Sequence, residues 1–206
     1  SYAIMLDGEE MSGDPGGEVY TRRTFSKDRY VSKVLNSYGH PVPVVGGRLQ
    51  ETGRAAAAKI VRTTFTDDRD EIVIDLTAAY SVPTLRSLVR TMSFERVNAT
   101  ISITDAATFS EPTAFEVPVI TYRDYAKDEK GLHFAFRKKK GLRTLGMDVR
   151  ASAPVMFRDE TIENKPRPDV TRLAFSFEQP VTNATLSLIY TPSHKDRRSG
   201  APAASL

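Results

Sequence analysis

The chain has no cysteine among its 206 residues. Disulfides, thiolate catalysis and cysteine-based zinc sites are therefore excluded. Histidine is scarce as well: only His40, His133 and His194 are present. No HExxH, GxSxG or Ser-His-Asp order surrounds them. The GxxxxGK(S/T) phosphate loop is absent. So are internal repeats and EF-hand spacing. No apolar run reaches the roughly 18 residues of a membrane-spanning helix, and no signal peptide is visible. A dominant charge is also lacking. The net charge is +3 with a pI near 9.1, and the charges are interspersed. That balance would tolerate a polyanion without identifying one, and nothing points to nucleic acid. The densest cluster, Arg137-Lys138-Lys139-Lys140, reads either as a solvated hairpin tip or as a polyanion patch.

What is present is β pattern. Hydrophobic residues make up 40% and charged residues 27% of the chain, the proportions of a globular protein with a core. Short runs rich in β-branched and aromatic residues recur between Gly, Pro, Asn and Asp. They predict strands at 2–6, 43–45, 57–66, 71–76, 85–95, 99–104, 115–121, 132–138, 144–151, 155–157, 173–178 and 184–190. Several alternate with period two: Ile101 with Ile103, Leu173 with Phe175 and Phe177, Leu186 with Leu188. Such strands bury one face and wet the other, as antiparallel sheets do. The expectation is an all-β antiparallel sandwich of two large sheets with little helix. It spans residues 1–192, and 193–206 form a loose tail. Helical spacing is scarce: "SKDRYVSKVLNS" could hold a turn or two, with Ser26 as N-cap. Leu85, Leu88 and Val89 of "SVPTLRSLVRTMSF" fit it as well, although a strand is favoured there because it leads into another alternating run. The chain opens on Ser1-Tyr2-Ala3-Ile4-Met5-Leu6, which reads as the middle of a strand and suggests a piece of a larger protein.

Three stretches carry candidate chemistry. "MSGDPGGEVY" is the densest turn signal, because Pro15 fixes φ and Gly16 and Gly17 accept positive φ. It is either a tight turn between strands or a turn that presents the Asp14 carboxylate. "EVYTRRTFSKDRY" crowds Arg22, Arg23, Lys27 and Arg29 among Tyr20, Phe25 and Tyr30. Rings stack on sugars and guanidinium groups fork onto carboxylates or sulfates, although a polar edge with snorkelling side chains gives the same pattern. "NSYGHPVPVVGGRLQ" holds His40 among prolines and glycines, as a structural histidine, a ligand or a proton carrier. His133, alternating with Phe134 and Phe136, belongs on the polar face of a strand. The carboxylates of "TFTDDRDE" form a hairpin turn, with a weak option of Ca²⁺ binding.

Taken in order, "SYAIMLDGEEMSGDPGG", "VYTRRTF", "NSYGHPVPVVGGRLQ" and "IDLTAAY" resemble the C-terminal β-sheet domain of the heparinase II/III-like polysaccharide lyases. The resemblance is strongest over the first half of the chain. It implies a β-sandwich that follows an α/α toroid. Asp14 in "SGDPGG" matches the family's turn aspartate, and His40 matches a later histidine at a strand start. In the family such residues, with one more histidine from the first strand, hold a structural zinc. Three N and O ligands suit Zn²⁺ chemically. Here "GHP" replaces the family's "HNT", and the third ligand is expected upstream of Ser1. The implied reaction is β-elimination on a uronate: a base takes the proton α to the carboxyl, and an acid assists the leaving oxygen. The family's catalytic tyrosine lies in the toroid, and no catalytic residue is assigned in this chain. Tyr38, close to His40 in sequence, has no family match as a catalyst.

The resulting expectations are specific. The chain is the β-sandwich part of a lyase acting on acidic, uronate-containing glycans, inactive by itself. Asp14 and His40 are metal ligands, and Tyr20, Arg22 and Arg23 bind substrate. Its partners are the acidic polysaccharide and the upstream toroid, and an exposed sheet edge would permit homo-oligomers. The family implies a periplasmic or secreted location. The alternative, favoured by the "GHP" departure, is a non-catalytic carbohydrate-binding or structural module without metal.

Overall fold

The computed structural model describes residues 1–129, 131–138 and 141–193. Lys139 and Lys140 of the cationic cluster, His194 and the expected tail beyond Ser193 lie outside the described residues. The described strands are β1 (Ile4–Leu6), β2 (Glu9–Ser12), β3 (Val44–Val45), β4 (Lys59–Phe65), β5 (Arg69–Asp75), β6 (Leu85–Glu95), β7 (Thr100–Thr113) and β8 (Phe115–Thr121). They continue with β9 (Asp124–Asp128), β10 (Gly131–Lys138), β11 (Gly141–Ala151), β12 (Val155–Ile162), β13 (Val170–Phe177) and β14 (Val181–Ser193). All the strand pairings are antiparallel. No helix among the described residues is long and apolar enough to cross a membrane.

The strands form an all-β sandwich, as the alternation predicts. The two main sheets differ in size. One has eight strands in the order β4-β5-β6-β7-β14-β11-β10-β9, and the other has four in the order β12-β13-β8-β3. β1 and β2 form a separate hairpin. β2 and β9, with sequences EEMS and DYAKD, lack the apolar alternation that reveals the others. The core lies between the sheets. Val117, Val119, Leu173 and Phe175 of the small sheet meet Leu88, Ile103, Phe134, Leu186 and Leu188 of the large one, all buried. Burying each such side chain contributes roughly 1.5–3 kcal/mol.

β13 departs from the one-sided pattern. Its inner residues Leu173, Phe175 and Phe177 are buried, but so are Val170, Arg172 and Ala174 on the other face. The reason is a cover. Residues 13–43 carry only short 3-10 turns at Arg23–Phe25, Arg29–Val31 and Ser37–Gly39. This segment lies over the outer face of the small sheet. Val34 and Tyr38 there pack on Ile120, Ile162 and Val170 in a second, smaller core.

The turn at Asp14 therefore leads from β2 into this cover and does not join two strands directly. Ser26 closes the first 3-10 turn instead of opening a helix. Its hydroxyl accepts from the Asp28 N–H at 3.1 Å.

Candidate functional site

The cover brings its two ends together. Asp14 sits just after β2, in a turn that three contacts pin to β8 and to the loops beside it. The Gly13 N–H donates to the Ile120 carbonyl at 2.8 Å. The Tyr122 hydroxyl donates to the Pro15 carbonyl at 3.1 Å, and Arg167 Nη1 donates to the Gly17 carbonyl at 2.8 Å. Gly16 takes φ +72°, a conformation open to glycine. Its N–H donates to Asp14 Oδ1 at 2.8 Å.

His40 follows the last 3-10 turn. Gly39 before it has no room for a side chain, because a Cβ there would strike the Lys33 carbonyl oxygen. His40 Nδ1 lies 2.8 Å from Asp14 Oδ2, across 26 residues of sequence. Nε2 lies 2.9 Å from the Val34 carbonyl. A carbonyl only accepts, so Nε2 carries a proton and donates. This fixes the ring with Nδ1 turned toward the carboxylate.

Electrostatics follow the geometry. Burial alone would raise the Asp14 pKa. Hydrogen bonds from His40, Ser1 and the Gly16 N–H outweigh it and hold the carboxyl well below the usual carboxylate range. Asp14 is therefore an anion at any neutral pH. The ring of His40 also lines a cleft of about 410 Å³ with Ser1, Tyr30, Asn36, Leu49 and Gln50.

Asp14 and His40 would supply half of a zinc site only once His40 Nδ1 gave up the proton it shares with the Asp14 carboxylate. A ligating histidine typically donates its second ring N–H to a backbone carbonyl or carboxylate, and His40 makes that bond to Val34. The two donors, 2.8 Å apart, stand slightly closer than the roughly 3.3 Å between ligands of a tetrahedral ion with ~2.0 Å bonds. No cluster of three or more His, Cys, Asp or Glu suited to a metal occurs among the described residues. Asp14 and His40 thus supply two N and O donors and no third.

The other predicted residues lie elsewhere. Tyr20, Arg22 and Arg23 do not line the cleft. Tyr20 is 72% exposed and meets Phe25, 76% exposed, edge-on at 5.5 Å. Arg23 Nη2 donates to both carboxylate oxygens of Glu18 at 2.7 and 2.8 Å, whereas Arg22 is exposed. The cleft's aromatic is Tyr30, which sequence pattern alone did not separate from its neighbours.

Tyr38 is no base. Its hydroxyl donates to Glu160. Its ring lies between the Arg172 guanidinium at 4.0 Å and Lys33 Nζ at 4.7 Å. Burial, with the Glu160 bond, pushes its pKa up. His133 lies on the more exposed face of β10, 3.0 Å from Asp128, as alternation predicts. Residues 66–68 form the hairpin turn between β4 and β5.

Two charged clusters escaped the sequence reading. Arg90 and Asp105, both buried, pair through two bonds of 2.8 and 2.7 Å on the inner face of the large sheet. On the outer face of the small sheet, Arg172 donates to Glu116 at 2.6 Å. Glu116 also accepts from Ser176 and Arg158. A charged residue on the apolar parity of a strand, such as Arg90 between Leu88 and Met92, was the available signal.

No family model and no curated protein sequence matches the chain. Solved structures do. A heparinase III gene product superposes with a TM-score of 0.72 at 12% identity, covering 92% of this chain and 29% of its own. A second heparinase III structure gives 0.68 at 13% identity, covering 92% and 29%. Heparan sulfate lyase HepC from Pedobacter heparinus gives 0.67 at 15%, covering 95% and 30%. At these identities the likeness shows the fold. This chain spans less than a third of the length of those proteins.

Proposed function

We propose that this chain is the β-sheet domain of a polysaccharide lyase that cleaves acidic, uronate-containing glycans by β-elimination, inactive in isolation. The observation that carries the reading is the convergence of Asp14 and His40 on one another within a sandwich of the heparinase III type. In this proposal an upstream α/α toroid supplies the proton-transfer groups. The β domain supplies one wall of the substrate cleft, and His40 and Tyr30 are part of that wall. A periplasmic or secreted location accompanies the reading.

Asp14 and His40 would hold a zinc ion together with a ligand from outside the described residues. The ion would cross-link two loop segments as a structural metal. This chain's own contribution is to orient the donors. The Val34 carbonyl keeps the proton on Nε2, so Nδ1 would be the nitrogen to release its proton in favour of a metal, and the Gly16 N–H holds the Asp14 carboxylate. Tyr20, Arg22 and Arg23 are proposed as outer contacts for the glycan. A ring open to solvent beside an exposed guanidinium suits a sugar bearing carboxylate or sulfate. The Arg23–Glu18 pair makes Arg22 the freer cation of the two.

The test is turnover by the longer protein with and without this domain, read as the ultraviolet absorbance of unsaturated uronate. Loss of turnover on deletion, with the remaining domain folded, supports the reading. Full turnover without the domain overturns it in favour of a binding or structural module.

A further inference from the structure

The segment bearing His40 is held more firmly than a surface loop needs to be. Its carbonyls at three positions accept from three side chains on different elements. Arg172 Nε of β13 donates to the Tyr38 carbonyl at 2.8 Å. Arg90 Nη1 of β6 donates to the Pro41 carbonyl at 2.6 Å. The Tyr80 hydroxyl donates to the Pro43 carbonyl at 2.6 Å. All three donors are buried, at 1%, 3% and 7% exposure. The segment thus crosses from the outer face of the small sheet to the inner face of the large one, tied at each stage.

Two of the three ties are anchored in turn. Arg90 is locked by its fork onto Asp105 and lies 5.4 Å from the centre of the Tyr2 ring. Arg172 is locked by Glu116 and stacks on Tyr38. A buried arginine–carboxylate pair adds little net stability compared with apolar residues of the same volume. What it does supply is direction: a rigid fork with a donor left over. Here the spare donor of each arginine points at a backbone carbonyl within three residues of His40.

The geometry points to Arg90, Arg172 and Tyr80 as positioning residues that set the orientation of the His40 ring toward Asp14. They act through the backbone of residues 38–43. The inference rests on the reading of Asp14 and His40 as a functional pair, and it assigns that pair a supporting shell of three residues.

Two variants of this chain test it. Tyr80→Phe removes one hydroxyl only. Arg90→Met combined with Asp105→Leu removes both buried charges together, so that neither is left unpaired. Two quantities are measured in folded protein: NMR order parameters of the His40 and Val42 amides, and the Kd for Zn²⁺ alone by titration. Rigid backbone gives order parameters of about 0.85 and flexible backbone falls below about 0.6. The expected result is a fall at both amides in each variant, largest in the double variant. Zinc affinity should drop on the order of 10-fold, as for the loss of other outer-shell partners. General loss of stability would not by itself loosen these native-state amides.

Unchanged order parameters in the folded variants would overturn the inference. If the double variant fails to fold, Tyr80→Phe decides. If the unmodified chain takes up no zinc, the metal reading fails alone, and the order parameters still decide the positioning role.

Discussion

Asp14 stays ionised because the hydrogen bonds it accepts outweigh its burial. Its folded pKa lies below its unfolded value, so the native state holds fewer protons than the unfolded one in acid. The stability this contributes is complete above about pH 4, the ordinary aspartate value, and is lost as pH falls further. Asp14→Asn removes the charge-assisted bonds and should cost about 1.5–3 kcal/mol at pH 7. Thermal melts across pH should show this difference shrinking below pH 4. A difference that stays constant down to pH 2 would contradict the assignment. Gly39 makes a second case. A methyl group there would strike the Lys33 carbonyl, and the backbone of residues 32–40 would have to move. Gly39→Ala should lower the melting temperature by several degrees and weaken the His40–Asp14 bond. An unchanged melting temperature would show that the loop has slack which its contacts do not suggest.

At the scale of elements, the charged pairs between strands explain why some of the site was legible and some was not. Alternation revealed β6, β8 and β13 because their inner residues are apolar. Its parity hints that Arg90 faces inward, but it could not reveal that Arg90 pairs with Asp105, or that Arg172 lies under a loop. Those placements depend on contacts across 15 to 134 residues of sequence. The Asp14 turn was legible from its proline and glycines. Its pairing with His40 came only from family resemblance, since nothing local links residues 26 apart. The polar strands β2 and β9 were missed because hydrogen bonding to a neighbour, not apolar pattern, makes them strands. These pairs also predict an asymmetry. Arg90→Ala alone strands a buried carboxylate and should cost about 3–5 kcal/mol. Arg90→Met with Asp105→Leu should cost less, about 1–3 kcal/mol, because only the buried Pro41 carbonyl loses its partner. Denaturant midpoints of the two variants distinguish these outcomes, and equal losses would contradict the pairing argument.

The whole molecule has an exposed flank. β4 is the edge of the eight-stranded sheet, and Ile60, Val61 and Phe65 on it are 63%, 58% and 65% exposed. An unpaired edge with apolar side chains invites another strand. Lys59, Arg62 and the irregular register between Ile60 and Arg62 work against such pairing. The isolated chain should therefore associate only at high concentration, and Val61→Lys should suppress that association. Light scattering that shows a monomer throughout would contradict this.

The most direct test of the central claim uses the longer lyase proposed to contain this domain. Turnover on uronate glycans and bound zinc are measured in the unmodified protein and in His40→Ala and Asp14→Ala. The prediction is activity and zinc in the first, with both lost in each variant. Activity that persists in the variants, with no zinc in the unmodified protein, would contradict it and leave His40 and Asp14 as a structural ion pair.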